Sequence, residues 1–308
     1  MASGSKRVIL AALVGNALIA VTKFIAAALT GSSAMLSEGI HSVVDTGNQI
    51  LLLYSLRRAA RPANQRFPFG HGKEVYFWSF VVAIMIFAVG SGISIYEGIS
   101  HLLHPEPMRN VTVNYVVLAL ALAFEGAAWY FAFVEFNRAR GDWGYVEAVQ
   151  RGKDPTLFVV LFEDSAAIAG LLVALLGVLL ADLTGMALFD GAASVIIGVI
   201  LGATAAWLAY ETKGLLIGES ANRAVVARIR ELIADAPGVE HVNEVLSMHM
   251  GPEFILLNVS VTFDSAATAT DIERAVARLD AGIKAEFPEV KRIFVEAEAR
   301  AALASATT

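Results

Sequence analysis

The chain has 308 residues, of which 56% are hydrophobic and 17% charged, with a formal net charge of −6. A water-soluble protein of this size cannot hide so much apolar surface, so lipid has to cover it. No long basic stretch points to nucleic acid, and with no cysteine neither disulfides nor thiolate metal sites can form.

Six apolar stretches, at about 8–29, 33–56, 75–101, 111–136, 156–181 and 187–211, each meet the roughly 20 helical residues that a bilayer core requires. Polar breaks divide them: Thr30-Gly31-Ser32-Ser33, the loop from Arg57 to Lys73, Pro105-Glu106-Pro107, the loop from Asn137 to Pro155, and Asp182 to Gly185. Lys6 and Arg7 precede the first stretch in the manner of a signal peptide. That stretch is too long and a second follows at once, so it reads as a retained helix. One side receives Lys6, Arg7, Arg57, Arg58, Arg61, Arg66, Lys73, Arg138, Arg140, Arg151 and Lys153, and the other Arg109 alone. The positive-inside rule then makes both termini cytoplasmic, or places them on the equivalent inner side of an organelle. The expectation is an α-helical membrane protein with six transmembrane helices over 1–211, in a bacterial inner membrane or an organelle membrane.

Ionisable residues inside these stretches carry the functional signal, because a charge at mid-span costs on the order of 2.5–3.5 kcal/mol on insertion scales. They are Glu38, His41 and Asp45 in the second stretch, Glu125 in the fourth, and Glu163 and Asp164 in the fifth. His41 and Asp45 are four apart, one turn apart on a single helix face. Two readings follow: an imidazole nitrogen and a carboxylate oxygen converge on a divalent ion, or a buried His–Asp pair merely holds helices together. Asp164, on another helix, offers a third donor. Glu38, one turn before His41, is either a group that supports a ligand or an entrance group. Asn48 and Gln49 extend the polar face as helix-packing hydrogen bonds. Lys23 either snorkels or pairs with an acid. Glu97, His101 and His104 form an interfacial cap or a metal-collecting mouth. Gly198 and Gly202 allow close helix packing, and Asp190 suits the N-terminus of its own helix.

From Lys213 onward the chain holds 10 basic and 14 acidic residues, the balance of an ordinary soluble domain. Residues 221–236 have helical spacing, with Val225, Ile229, Leu232 and Ile233 on one face, and Pro237-Gly238 ends that helix. Strands are expected at 241–250 and 254–263 around the Gly251-Pro252 turn. Thr270 and Asp271 open a second helix that runs to Phe287, and a third strand covers 290–297. The αββαβ order predicts a small α+β domain over 212–308, ferredoxin-like or metallochaperone-like, its sheet backed by two helices on one face. The soluble fold itself is expected from about Glu219 to Glu298.

Taken together, six spans, H-x-x-x-D in the second, FPFGHGKE at 67–74, HPEP at 104–107 and an αββαβ tail resemble the cation diffusion facilitator family. Within it, SEGIHSVVDTGNQ (37–49), FEGA (124–127), KDP (153–155), LFEDSAA (161–167) and LFDGAAS (188–194) resemble the branch of zinc transporter nine, whose eukaryotic member is mitochondrial. The resemblance implies a homodimer that exports zinc or a related ion in exchange for protons by alternating access. It also implies a transport site with two residues from span 2 and two from span 5. His41 and Asp45 match the first pair and Asp164 matches half of the second, whose other position holds Val160. Glu163, about 100° from Asp164 around the helix, joins only if the helix is rotated or distorted, and Glu125 is the other donor in reach. Asn64 and Phe67 replace the Asp and His of the family's loop site and leave His71. In the tail Asn243, Asn258 and Val295-Glu296-Ala297 stand where metal ligands are expected. His241, Glu244 and His249 remain there, His249 as an ordinary surface residue.

The expected function is therefore a proton-coupled exporter of a divalent cation, zinc first. Its donors are His41, Asp45, Asp164 and Glu163, with Glu125, Glu38 and Asn48 as coupling or supporting groups. Acids this deep repel when both are charged, so an empty site should hold a proton that metal entry expels. The alternatives are a manganese, iron(II) or cobalt(II) carrier, or a membrane-anchored metal sensor or scaffold. No nucleophile–base constellation supports an enzyme, and no organic cofactor is expected.

Overall fold

The computed structural model describes residues 3–105, 108–141, 144, 145, 148 and 155–299. Glu106 and Pro107 of the HPEP run, Arg151, and Lys153 and Asp154 of the KDP run lie outside the described residues. So do the side chains of Lys6 and Arg7. The chain divides into two compact units, Met1–Arg58 with Val75–Lys213, and Ala59–Glu74 with Gly214–Thr308.

The first unit is built of long helices: α1 (Ser3–Thr30), α2 (Ser33–Ala59), α3 (Glu74–Met85), α4 (Gly92–Leu103), α5 (Val111–Arg140), α6 (Pro155–Thr184) and α7 (Leu188–Ile217). A π-helical segment, Ile86–Ser91, joins α3 to α4 in a single rod, Glu74–Leu103. Six rods result among the described residues. At 1.5 Å per residue each is about 40–45 Å long, enough for a hydrocarbon core of about 30 Å. Four of them, Glu74–Leu103, Val111–Arg138, Phe158–Thr184 and Leu188–Ile217, are long and apolar enough to cross a membrane, and α1 contributes the shorter apolar stretch Asn16–Thr30.

The lower apolar content of α2 has a structural reason. Its polar residues Ser37, Glu38, His41, Ser42, Asp45 and Asn48 are buried, while Val43, Ile50 and Tyr54 are exposed. This is the reverse of a soluble amphipathic helix, and lipid on the outside is what makes it stable. The N-terminus of α2 is held by Asp190 of α7, which accepts from Ser32 Oγ at 2.6 Å, from Ser33 N at 2.6 Å and from Ser33 Oγ at 3.1 Å. Asp190 lies in the first turn of α7, as expected, and in addition caps α2, whose free amides and dipole supply the attraction. Gly198 does permit close packing: a Cβ there would lie 2.9 Å from Ile95 N and 3.0 Å from Ser91 O. Helices α4 and α7 therefore meet backbone to backbone, and Ser194 Oγ donates to Ser94 O across the same seam.

The second unit contains α8 (Arg223–Ala234), β1 (Val239–Gly251), β2 (Phe254–Phe263), α9 (Ala269–Glu286) and β3 (Val290–Ala297). Strand order is β1-β2-β3, antiparallel then parallel, so α9 is the crossover that a parallel pair needs. Alternate residues of β2, Ile255, Leu257, Val259 and Val261, share one core with Ile229 and Ile233 of α8 and Leu279 and Ile283 of α9. Asn222 caps α8 by accepting from Ala224 N, and Thr268 with Asp271 forms a capping box at α9. The Ala59–Glu74 segment lies against the β1–β2 turn, where a Cβ at Gly251 would meet Gly72 Cα at 3.0 Å.

Candidate metal centre

Spacings of three, four and three residues along α2 set Glu38, His41, Asp45 and Asn48 on its buried face. His41 is 1% exposed, and its Nδ1 lies 3.3 Å from Asp45 Oδ1. Neither imidazole nitrogen, nor Asp45 Oδ1, has a hydrogen-bond partner among the described residues. Buried polar atoms are seldom left so, and an unfilled ligand position is one of the few ordinary reasons.

Glu163 of α6 reaches this point. Asn48 Nδ2, one turn beyond Asp45 on α2, donates to Glu163 Oε1 at 2.7 Å. Helix α6 is continuous from Pro155 to Thr184. Asp164 is buried beside them and interacts electrostatically with Asp45, Glu163 and Glu125. The hydroxyl of Ser165 instead accepts from Trp129 Nε1 of α5 at 2.9 Å. Among the described residues no three His, Asp or Glu side chains are drawn closely enough together to hold an ion between them. The four expected donors are thus neighbours whose atoms do not yet converge.

Glu38 and Glu125 belong to a second cluster. Lys23 of α1, fully buried, donates to Glu38 Oε2 at 3.0 Å and to Ser42 Oγ at 2.8 Å, and its Nζ is 4.0 Å from Glu125 Oε1. Of the two roles open to Lys23, pairing with an acid is the one observed. Its part as the hub of three helices was missed, although a lone lysine in an apolar run was the available signal. Glu38 Oε1 has no hydrogen-bond partner among the described residues and points at Gly170 of α6, where a side chain would collide with it.

The remaining expectations separate clearly. His101 Nε2 lies 3.9 Å from Asp190 Oδ2, whereas His104 is exposed, so these histidines do not form a joint mouth. In the second unit Asn64 Nδ2 and His71 Nε2 are 3.2 Å apart, with the Phe67 ring 4.6 Å from the imidazole. Asn243 Nδ2 donates to Ser260 Oγ at 3.2 Å, Thr262 donates to Asn243 Oδ1 at 3.3 Å, and Ser260 donates to Glu298 Oε2 at 2.5 Å. His249 is 4% exposed, which corrects its expected place on the surface: β1 turns it inward at a position where alternation alone left either face open.

Comparison with known proteins agrees with this architecture. The family described as "Cation efflux transmembrane domain" matches residues 9–217. The proton-coupled zinc antiporter SLC30A9, mitochondrial, of Xenopus laevis is 36% identical over 264 residues, which are 85% of this chain and 47% of that protein. Metal tolerance protein C4 of Arabidopsis thaliana is 29% identical over 84% of this chain and 57% of its own length. The manganese efflux system protein MneP of Bacillus subtilis is 22% identical over 94% and 95%. The chain spans about half the length of the first two of these relatives. With its helical unit matched almost from end to end, the chain belongs to the cation efflux family.

Proposed function

We propose that the protein exports a divalent metal cation, zinc first, in exchange for protons. The observation that carries this is the set of buried atoms on α2 without hydrogen-bond partners among the described residues, His41 Nδ1 and Nε2 and Asp45 Oδ1, on the face that Glu163 of α6 meets through Asn48. Holding such atoms in a lipid-embedded bundle is costly unless an ion takes them up. The arriving ion would draw His41, Asp45, Asp164 and Glu163 together, completing the four donors zinc prefers. Carboxyls buried this close together repel when all are charged, so an empty site would hold a proton that an entering cation displaces and a departing one readmits. Rocking of α2 against α6 would then open the site to each side in turn. The Lys/Arg distribution supports six spans with both termini cytoplasmic, and the family supports a homodimer.

Manganese carriage is the second reading, favoured by a donor set of one nitrogen among carboxylate oxygens. Purified protein in liposomes, tested with zinc, manganese, iron(II), cobalt and cadmium with and without a pH gradient, decides between them. Flux driven by the gradient is expected, with zinc fastest. Binding without flux would instead identify a sensor or scaffold.

A further inference from the structure

The Lys23 cluster is not needed to hold the transported ion, yet it places a full charge in the middle of the bundle. Three oxygens from two helices surround one nitrogen: Glu38 Oε2 at 3.0 Å, Ser42 Oγ at 2.8 Å and Glu125 Oε1 at 4.0 Å. Glu38, Ser42 and Glu125 are each at most 3% exposed. Without the lysine, this is an all-oxygen set with two carboxylates, the chemistry that hard divalent cations choose. Oε1 of the same Glu38 carboxyl is buried and without a hydrogen-bond partner among the described residues, which leaves that carboxyl with capacity beyond the lysine. Gly170 leaves room beside it that a Cβ would fill.

We propose that the Lys23 ammonium is a resident counter-cation: it occupies the ground between Glu38 and Glu125, denies it to a divalent ion, and so confines transport to a single ion near Asp45. The first two parts stand on the geometry of α1, α2 and α5; only the last rests on the transport reading above. Glu38 and Asp45 are seven residues apart on α2, about 10 Å along its axis, close enough for two ions to compete for the same path. A tethered ammonium attracts the carboxylates as an ion would but cannot be carried away. Lys23 is in this sense a positioning residue for specificity. It fixes α1 to α2 and α5 and leaves the acids near Asp45 as the open donors.

The test compares wild type, Lys23→Ala, Lys23→Arg and the double variant Lys23→Ala with Glu38→Gln, each purified as the full chain in detergent. Bound Mn²⁺ is counted by equilibrium dialysis and elemental analysis. Lys23→Ala should bind about one more Mn²⁺ per chain than wild type, because an oxygen set stripped of its cation recruits another. The arginine variant and the double variant should keep the wild-type count. A folded Lys23→Ala protein with no additional ion overturns the proposal, as does an additional ion that persists in the double variant. Should Lys23→Ala misfold without metal, added Mn²⁺ must restore its elution and melting profile; failure to do so also overturns it. The measured quantity is a difference between two chains. That difference stands whether or not wild type itself binds Mn²⁺, and the transport reading is judged by the liposome flux instead.

Discussion

The two units treat buried polar groups in opposite ways. In the helical unit, His41 and Asp45 keep atoms without hydrogen-bond partners among the described residues even though burial there is nearly complete. In the second unit Asn243, one of the residues standing where the family's tail ligands are expected, is tied into a hydrogen-bonded group with Ser260, Thr262 and Glu298. Asn64 and His71 pair in the same way. The difference separates a candidate ligand set from polar groups whose hydrogen bonds are already made. Residue types alone do not separate the two cases, but satisfaction of their hydrogen bonds does. Asn258 Oδ1, buried and without a hydrogen-bond partner among the described residues, departs from this pattern, and a single amide oxygen is a poor metal site.

The sharpest way to break this comparison is Asp45→Ala. It should lower zinc flux in liposomes by about 100-fold or more, since even groups that merely support a metal ligand are worth 10–100-fold. The elution profile in detergent should stay that of wild type. Wild-type flux would mean that the unpartnered atoms on α2 are not a transport site.

Next in size is Glu163→Gln, which keeps the shape of the side chain but not its charge. Metal affinity should fall by about 10-fold, and the dependence of flux on pH between about 6 and 8 should flatten, because a proton-exchanging carboxyl is gone. Glu125→Gln should have a smaller effect, as Glu125 lies beside Lys23. If both variants retain wild-type rates and pH profiles, neither glutamate belongs to the site, and water is the better fourth ligand.

On the other side of the comparison, the fragment from Glu219 to Glu298 should fold without metal. Its core of Ile229, Ile233, Leu257, Val259, Leu279 and Ile283 is apolar and closed. Micromolar zinc should shift its melting temperature by less than about 1 °C, the outcome for a ligand that binds the native state weakly or not at all. Tight stoichiometric binding in a calorimeter would show that the tail had kept a metal site after all.

The smallest expected effect concerns the α9 cap in the same fragment. Hydrogen bonds from the Thr268 hydroxyl and amide hold the Asp271 carboxyl below the usual aspartate range. A carboxyl whose folded-state pKa is depressed contributes stability above its unfolded value and loses it as pH falls through the folded one. Asp271→Asn should therefore melt slightly below wild type at neutral pH, and the two should converge in acid below the ordinary aspartate pKa of about 3.9. A gap that stays constant down to that range would remove the charge from the explanation.

What the sequence by itself determined was everything that depends on near neighbours along the chain. Apolar runs of sufficient length marked the helical rods, Pro237-Gly238 and Gly251-Pro252 marked the breaks in the tail, and alternation along β2 showed which residues face the core. The polar face of α2 was legible for the same reason, because residues three and four apart on a helix must share a side. Tertiary structure decided which groups on different helices meet. Asp190 caps a helix that begins 157 residues earlier, Asn48 bonds Glu163 across 115 residues, and Lys23 chooses Glu38 over the membrane interface. Burial of His249 was settled in the same way, by the register and packing of β1 rather than by its neighbours. Such pairings depend on how helices and strands are rotated against one another. A single charge or amide in the sequence carries no mark of the partner that will satisfy it.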